Sequence, residues 1–182
     1  MKFQPTEIAG VFVVTSEPSS DPRGTFVRIH SRQEFEAKGL APLPEQCSLS
    51  HNRRRGTVRG LHYQEPPHAE AKLVCCVSGA AFDAVVDLRC KSSTYGRALW
   101  FSLAADRSDM IYVPEGCAHG FQTLEDDTTL LYMISASYQA DAARGIRWND
   151  AALGIPWPER EAVFLSERDK LLPRLVDVET PF

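Results

Sequence analysis

One arginine, one histidine and one lysine cluster in a short apolar stretch. Arg59 and His62 lie in Gly56-Thr57-Val58-Arg59-Gly60-Leu61-His62-Tyr63-Gln64, and Lys72 heads Lys72-Leu73-Val74 after the break at Pro66-Pro67. This set suits proton abstraction beside a carbonyl on an anionic substrate. Neighbouring cations keep an imidazole neutral and so a competent base near pH 7. An ammonium stabilises an oxyanion, and a guanidinium holds a phosphate or carboxylate.

The spacing raises a geometric problem. In an extended strand over residues 57–64, Val58, His62 and Gln64 share one face, while Arg59, Leu61 and Tyr63 share the other. His62 and Arg59 line one pocket only if the strand bulges or twists at Gly60. His62 and His119 both sit in apolar surroundings, where a histidine is more often a hydrogen-bonded structural residue than a catalyst. The company of Lys72 and Arg59 is what favours chemistry at His62.

A metal centre is the first rival, drawing on His62, His68, Glu70 and His119. Position 64 is Gln, so the His-x-His pair on one strand face is absent, and Lys72 puts a positive charge where a cation would sit. The residues therefore favour metal-free catalysis. No Gly-rich phosphate loop, Gly-x-Ser-x-Gly or His-Glu-x-x-His occurs. Cys75 and Cys76 alternate faces of a strand, and neither has an evident base beside it.

The elements that must hold these groups read as strands. At 182 residues with 43% apolar and 24% charged side chains, the chain suits one globular domain over residues 1–182, without repeat or linker. Short alternating or apolar runs bounded by Gly, Pro, Asp and Ser predict an all-β sandwich or barrel. Residues 11–15 predict a strand stopped by Ser16-Glu17-Pro18-Ser19-Ser20; Asp21-Pro22-Arg23-Gly24 predicts a turn, and residues 25–29 a further strand. The one short helix signal covers residues 31–39, with Ser31 as cap, Glu34 at the third helical position and Gly39 as stop.

Residues 46–50 and 57–64 predict strands, and residues 72–77 with 80–89 a hairpin about Ser78-Gly79. On its second strand Phe82, Ala84, Val86 and Leu88 face the core, and Asp83, Val85, Asp87 and Arg89 form a polar face. Residues 99–103, 110–113 and 128–137 predict further strands, the last with Tyr132 and Tyr138. From Arg147 the chain reads as a proline-rich tail with one helical turn, whose tryptophans need a surface to pack on.

Bulk properties narrow the partners. A net charge of −4 gives no general attraction to nucleic acid; Arg53-Arg54-Arg55 is either a local cationic knot or a solvated turn. No apolar run is long enough to span a bilayer, and residues 1–5 lack the apolar core of a signal peptide, so a cytoplasmic location is expected. Five cysteines without framework spacing are expected to be reduced and mostly buried.

Taken in order, these residues resemble the dTDP-4-dehydrorhamnose 3,5-epimerase family, whose members are cupin-type jelly rolls. The likeness runs through Asp21-Pro-Arg-Gly-Thr-Phe26, Gln46 with Ser50, Arg59-Gly-Leu-His-Tyr-Gln64, Lys72-Leu-Val74 and Val86-Asp-Leu-Arg89. It continues in Ser93-Thr-Tyr-Gly96, Val113-Pro-Glu-Gly-Cys-Ala-His-Gly-Phe121, Trp148-Asn-Asp150 and Ser166-Glu-Arg-Asp169. The resemblance implies epimerisation at C3, C5 or both of a nucleotide-linked 4-keto-6-deoxy sugar, without metal or cofactor, in deoxysugar biosynthesis.

It also implies roles. His62 matches the general base, Asp169 the carboxylate that orients it, Lys72 the enolate stabiliser and Tyr132 the acid on the opposite face of the sugar. Arg23, Arg59 and Gln46 match diphosphate and nucleotide contacts, His119 a sugar-side contact and Tyr138 a pocket-shaping neighbour. Phe26, Ser48 and Arg168 fall at further substrate-binding positions. The family's dimers imply a homodimer in which an N-terminal strand completes the partner's site, with Arg23 acting across the interface.

The departures from the family pattern cluster. Ser19 and Ser20 replace an aromatic, Arg28 an acid, Ser48 an Asn, Ala143 a Glu and Arg168 a Lys. Several of these positions surround the nucleotide base, so thymidine is not assumed. A C3-only epimerase, a metal-dependent cupin enzyme and a non-catalytic sugar-nucleotide binder remain the alternatives.

Overall fold

The computed structural model describes residues 1–161 and 163–182. Runs rich in β-branched and aromatic residues pair into two large sheets. One is six-stranded, ordered β1 (Lys2–Pro5), β2 (Phe12–Thr15), β10 (Asp109–Val113), β7 (Lys72–Ser78), β12 (Thr128–Ile134), β5 (Gln46–Asn52). The other is five-stranded, ordered β13 (Ala143–Gly145), β6 (Val58–Gln64), β11 (Cys117–Thr123), β8 (Ala80–Asp87), β9 (Ala98–Ala104). β3 (Ser19–Asp21) and β4 (Gly24–Phe26) pair only with each other. This is the all-β, cupin-like jelly roll with short peripheral helices that the strand pattern and the resemblance implied.

Three apolar clusters hold it together. Val74, Ile111 and Leu130 of the first sheet meet Val85, Leu103 and Phe121 of the second between the layers. Phe35 and Leu43 cover the outer side of the first sheet against Leu73, Met110 and Tyr112. Trp148, Leu153, Ile155 and Trp157 of the tail cover the second against Val58, Leu61, Ala84 and Val86. The two indoles meet edge to face at 5.6 Å, and Trp157 Nε1 donates to the Trp148 carbonyl at 2.7 Å. The tryptophans thus find their surface, each buried side chain contributing roughly 1.5–3 kcal/mol.

The structure corrects four local expectations. Residues 72–77 and 80–89 do not form a hairpin: β7 pairs with β10 and β12, while β8 pairs with β9 and β11. The chain changes sheets at Ser78-Gly79, where Gly79 has φ +71° and an added Cβ would lie 2.5 Å from Thr128 Oγ1. The polar face expected on β8 is also sealed: Asp83 and Asp87 are both 0% exposed, Asp83 bonded to His119 and Asp87 to Arg89, Ser92 and Thr94 of the following loop. The strand expected to reach residue 29 ends at Phe26, and Ser19 and Ser20 belong to β3.

Tyr138 lies beyond β12 and is 56% exposed. β1 and β13 carry no alternation long enough to read from sequence. The helix signal is met by α1 (Arg32–Glu36), though Ser31 makes no side-chain cap and Glu34 instead accepts from the N-terminal ammonium at 2.6 Å. Among the described residues no helix is long and apolar enough to cross a membrane.

Candidate active site

The two sheets enclose a cavity of about 440 Å³. The five-stranded sheet contributes Arg59, His62 and His119; the six-stranded sheet contributes Gln46, Ser48, Lys72 and Tyr132. His62 and Tyr132 therefore enter the same space from opposite walls.

The bulge required at Gly60 is present. Across β6 and β11 the register runs His119 to His62 and then Phe121 to Arg59, so Gly60 and Leu61 together oppose Gly120. Gly60 has φ +122°, and a Cβ there would lie 2.7 Å from Gly120 Cα. Only glycine fits this backbone and this contact. The extra residue turns Arg59 and His62 into one cavity.

His62 Nε2 lies 2.7 Å from Asp169 Oδ1. The carboxylate arrives on α2 (Glu167–Lys170), a single turn capped by Ser166, whose Oγ accepts from the Asp169 amide at 3.1 Å. Gly60 N donates to Asp169 Oδ2 at 3.3 Å, so the bulge also anchors the acid. Burial pushes the Asp169 carboxyl up, but hydrogen bonding and charge from His62, with the Gly60 amide and Ser166, outweigh it and hold the carboxyl below its ordinary range. An ionised carboxylate only accepts, so His62 Nε2 is the donor in this pair. The His62 side chain is 37% exposed while Asp169 is 4%. A wet imidazole backed by a dry carboxylate is the arrangement a general base needs.

Lys72 stands at the start of β7, with Nζ 2.9 Å from Glu70 Oε1 and donating to the His62 carbonyl at 3.3 Å. Both side chains are nearly buried. The ammonium is thereby held beside His62 at the cavity wall. Arg59 Nε donates to Asn52 Oδ1 at 2.8 Å, and Asn52 is itself fixed to the carbonyls of Ser50 and Thr128. This leaves the outer guanidinium nitrogens to an anion.

Tyr132 packs edge-on to His119 with ring centroids 5.8 Å apart. Burial and the charge of Asp83 push its phenol well above the ordinary value, against an opposing pull from Arg59. His119 Nε2 is held by Asp83 Oδ2 at 2.7 Å. The imidazole expected as a sugar contact is thus only 3% exposed and committed on one side to a carboxylate.

Of the other expected binding residues, Gln46, Ser48, Tyr138 and Arg168 line the cavity. Gln46 Oε1 accepts from the Tyr138 amide at 3.3 Å, and Arg168 Nη2 donates to the Ala143 carbonyl at 3.1 Å. Arg23 and Phe26 do not line it. They sit on the β3–β4 ribbon, where Arg23 pairs with Asp21 and Phe26 is 73% exposed.

Sequence reasoning missed Asp83 and Asn52 as supporting residues and treated Glu70 only as a metal ligand. The available signals were a carboxylate between the apolar Phe82 and Ala84, and a second charge two residues before Lys72. Among the described residues no group of three or more His, Cys, Asp or Glu is placed to hold a metal. Three of the five cysteines are buried and all are free; burial pushes the Cys75 thiol to about 11 and the Cys117 thiol to about 12, far from thiolate chemistry.

This is a jelly roll whose inter-sheet cavity sets a histidine–carboxylate pair against a phenol, groups of the kind that transfer protons. The family model described as dTDP-4-dehydrorhamnose 3,5-epimerase matches residues 5–177, and the chain belongs to that family. It is an isomerase of the epimerase class. The dTDP-4-dehydrorhamnose 3,5-epimerase of Sinorhizobium fredii is 39% identical over 183 residues, covering 100% of this chain and 93% of its own. A dTDP-4-dehydrorhamnose 3-epimerase of Streptomyces niveus is 39% identical over 173 residues, covering 93% of this chain and 82% of its own. The crystal structure of the Bacillus anthracis dTDP-4-dehydrorhamnose 3,5-epimerase with TDP and PPi bound superposes with a TM-score of 0.90 at 35% identity, covering 95% of this chain and 98% of that one.

Proposed function

We propose that the chain epimerises a nucleotide-linked 4-keto-6-deoxy sugar at C3, C5 or both, with His62 as base, Lys72 as oxyanion donor and Tyr132 as acid. His62 takes the proton from the carbon beside the ketone, and the C–H electron pair moves onto the carbonyl oxygen as an enolate that accepts from Lys72. Tyr132 gives its proton to the same carbon from the other side as the enolate returns to the ketone. Solvent then reprotonates the tyrosinate and deprotonates the imidazolium. The single observation behind this reading is that base and phenol line one cavity from opposite sheets.

Arg59 and Gln46 are read as holding the nucleotide diphosphate end, with Tyr138 shaping the pocket and Arg168 a further substrate contact. The relatives named for dTDP sugars make dTDP the first nucleotide to test. Ser48, Ala143 and Arg168 line the cavity and are the positions through which another base would be preferred. The Streptomyces niveus relative, named a 3-epimerase, keeps C3-only action as the second reading.

The working unit is read as one jelly-roll domain in a homodimer. The β3–β4 ribbon pairs only with itself, and Arg23 and Phe26 stand outside their own cavity, in keeping with a reach into a partner's. Five free thiols suit a reducing cytoplasm.

Proton NMR in deuterated water with candidate 4-keto sugar nucleotides tests the chemistry by showing which carbon exchanges and which product forms. Loss of exchange in His62→Ala is the expected result. Exchange that survived it would remove His62 from the role of base.

A further inference from the structure

Glu70 lines the cavity, and the mechanism above gives it no task. Among the described residues it is the one carboxylate on a wall that otherwise carries Arg59, Lys72, Arg144 and Arg168. A site for a nucleotide diphosphate gains nothing from a negative charge, which repels the substrate and so calls for a reason.

The reason lies in the next charge along the chain. Ala71, 0% exposed, packs into the outer cluster of Phe35 and Leu43, so its neighbours Glu70 and Lys72 both turn to the cavity. The Ala71 amide donates to Ser135 Oγ at 2.8 Å, and its carbonyl accepts from the Ser135 amide at 3.0 Å, which ties this segment to the end of the strand that carries Tyr132. The Glu70 and Lys72 side chains are only 10% and 8% exposed, with Nζ 2.9 Å from Oε1. A lysine head rides on a flexible four-carbon stem and carries three donors. Glu70 on one side and the His62 carbonyl, 3.3 Å away, on the other pin that head, and at least one donor is left for a substrate oxygen.

We propose that Glu70 is a positioning residue: by pairing with Lys72 it fixes the ammonium beside His62, where the enolate oxygen needs it. This rests on Lys72 being the oxyanion donor. The lost attraction for an anionic substrate is offset by a donor that needs no reorganisation as charge develops on the ketone oxygen.

The test is a double-mutant cycle of Glu70→Ala and Lys72→Ala, read as solvent deuterium exchange by NMR over a range of concentrations of a dTDP-linked 4-keto-6-deoxy sugar. Lys72→Ala is expected to lower the maximal exchange rate by roughly 100-fold. Glu70→Ala should lower it by about 10-fold without raising KM, because the contact it misplaces is made as the enolate forms. In the Lys72→Ala background the same change should cost less than about twofold more, since Glu70 acts only through the ammonium. An equal loss in both backgrounds would mean a merely structural role and overturn the proposal. So would a fall in KM with the rate unchanged, the mark of a carboxylate that only repels substrate. Wild-type exchange in Lys72→Ala would instead overturn Lys72 as the oxyanion donor. Should Glu70→Ala not fold, Glu70→Gln and Glu70→Leu carry the contrast. Gln keeps an acceptor for the ammonium and should stay within about threefold of wild type, whereas Leu should lose about 10-fold; equal rates in the two would sink the idea.

Discussion

Two histidine–aspartate pairs face each other across neighbouring strands of one sheet. His62 and His119 are direct partners in the β6–β11 register, and each has Nε2 2.7 Å from a carboxylate oxygen. By bond length they are the same object. By surroundings they differ: the His62 side chain is 37% exposed and that of His119 3%. Asp169 has both oxygens bonded, one by the imidazole and one by the Gly60 amide, whereas Asp83 leaves Oδ1 unbonded. A base must meet substrate and exchange protons with water, which is why the more exposed first pair is the one proposed for that role. Role is decided by access and dielectric, with the hydrogen bond common to both.

The largest expected effect breaks the comparison at the wet pair. His62→Ala should lower solvent exchange by about 10³-fold with nucleotide binding retained, measured by NMR and calorimetry. Asp169→Asn should cost about 10²-fold, because the imidazole loses the carboxylate that fixes its tautomer and stabilises its cation. If either variant exchanged at the wild-type rate, the two pairs would not differ in the way their exposure implies. Tyr132→Phe stands between them, with exchange kept and inversion lost, since removal and same-face return need no second acid.

A structural change should sharpen the comparison. Gly60→Ala places a Cβ 2.7 Å from Gly120 Cα at φ +122°, which strains the bulge that aims both His62 and Asp169. It should destabilise the fold by about 2 kcal/mol or more in urea melts. Activity should fall further than stability accounts for.

The smallest effect concerns acid. The Asp169 carboxyl titrates below its ordinary value of 3.8, so its stabilisation is complete above that pH and is lost as pH falls through the lower folded value. Wild type should therefore lose more stability than Asp169→Asn between pH 5 and pH 2. An unchanged gap between the two would show that the pair gains nothing from ionisation.

The chain's own order of residues was enough for several conclusions. Strand after strand could be read because alternation and apolar runs are local properties of the backbone's period. The demand for a bulge at Gly60 followed from side chains pointing apart. His62, Lys72 and Arg59 could be singled out because they are close in sequence. What pairs with what could not be read in this way. The Ser78-Gly79 turn looks like a hairpin whether the chain folds back or crosses between sheets, and only burial of both faces of β7 and β8 selects the crossing.

The same limit governs the site. Asp169 is 107 residues from His62, and Tyr132 reaches the cavity from the other sheet, so their meeting depends on how two sheets close and where the tail docks. The sequence by itself determined which groups could exchange protons and which local backbone would carry them. The tertiary structure decided which imidazole stays wet and which carboxylate is sealed behind each, because burial and distance are properties of the packed layers and not of neighbours along the chain.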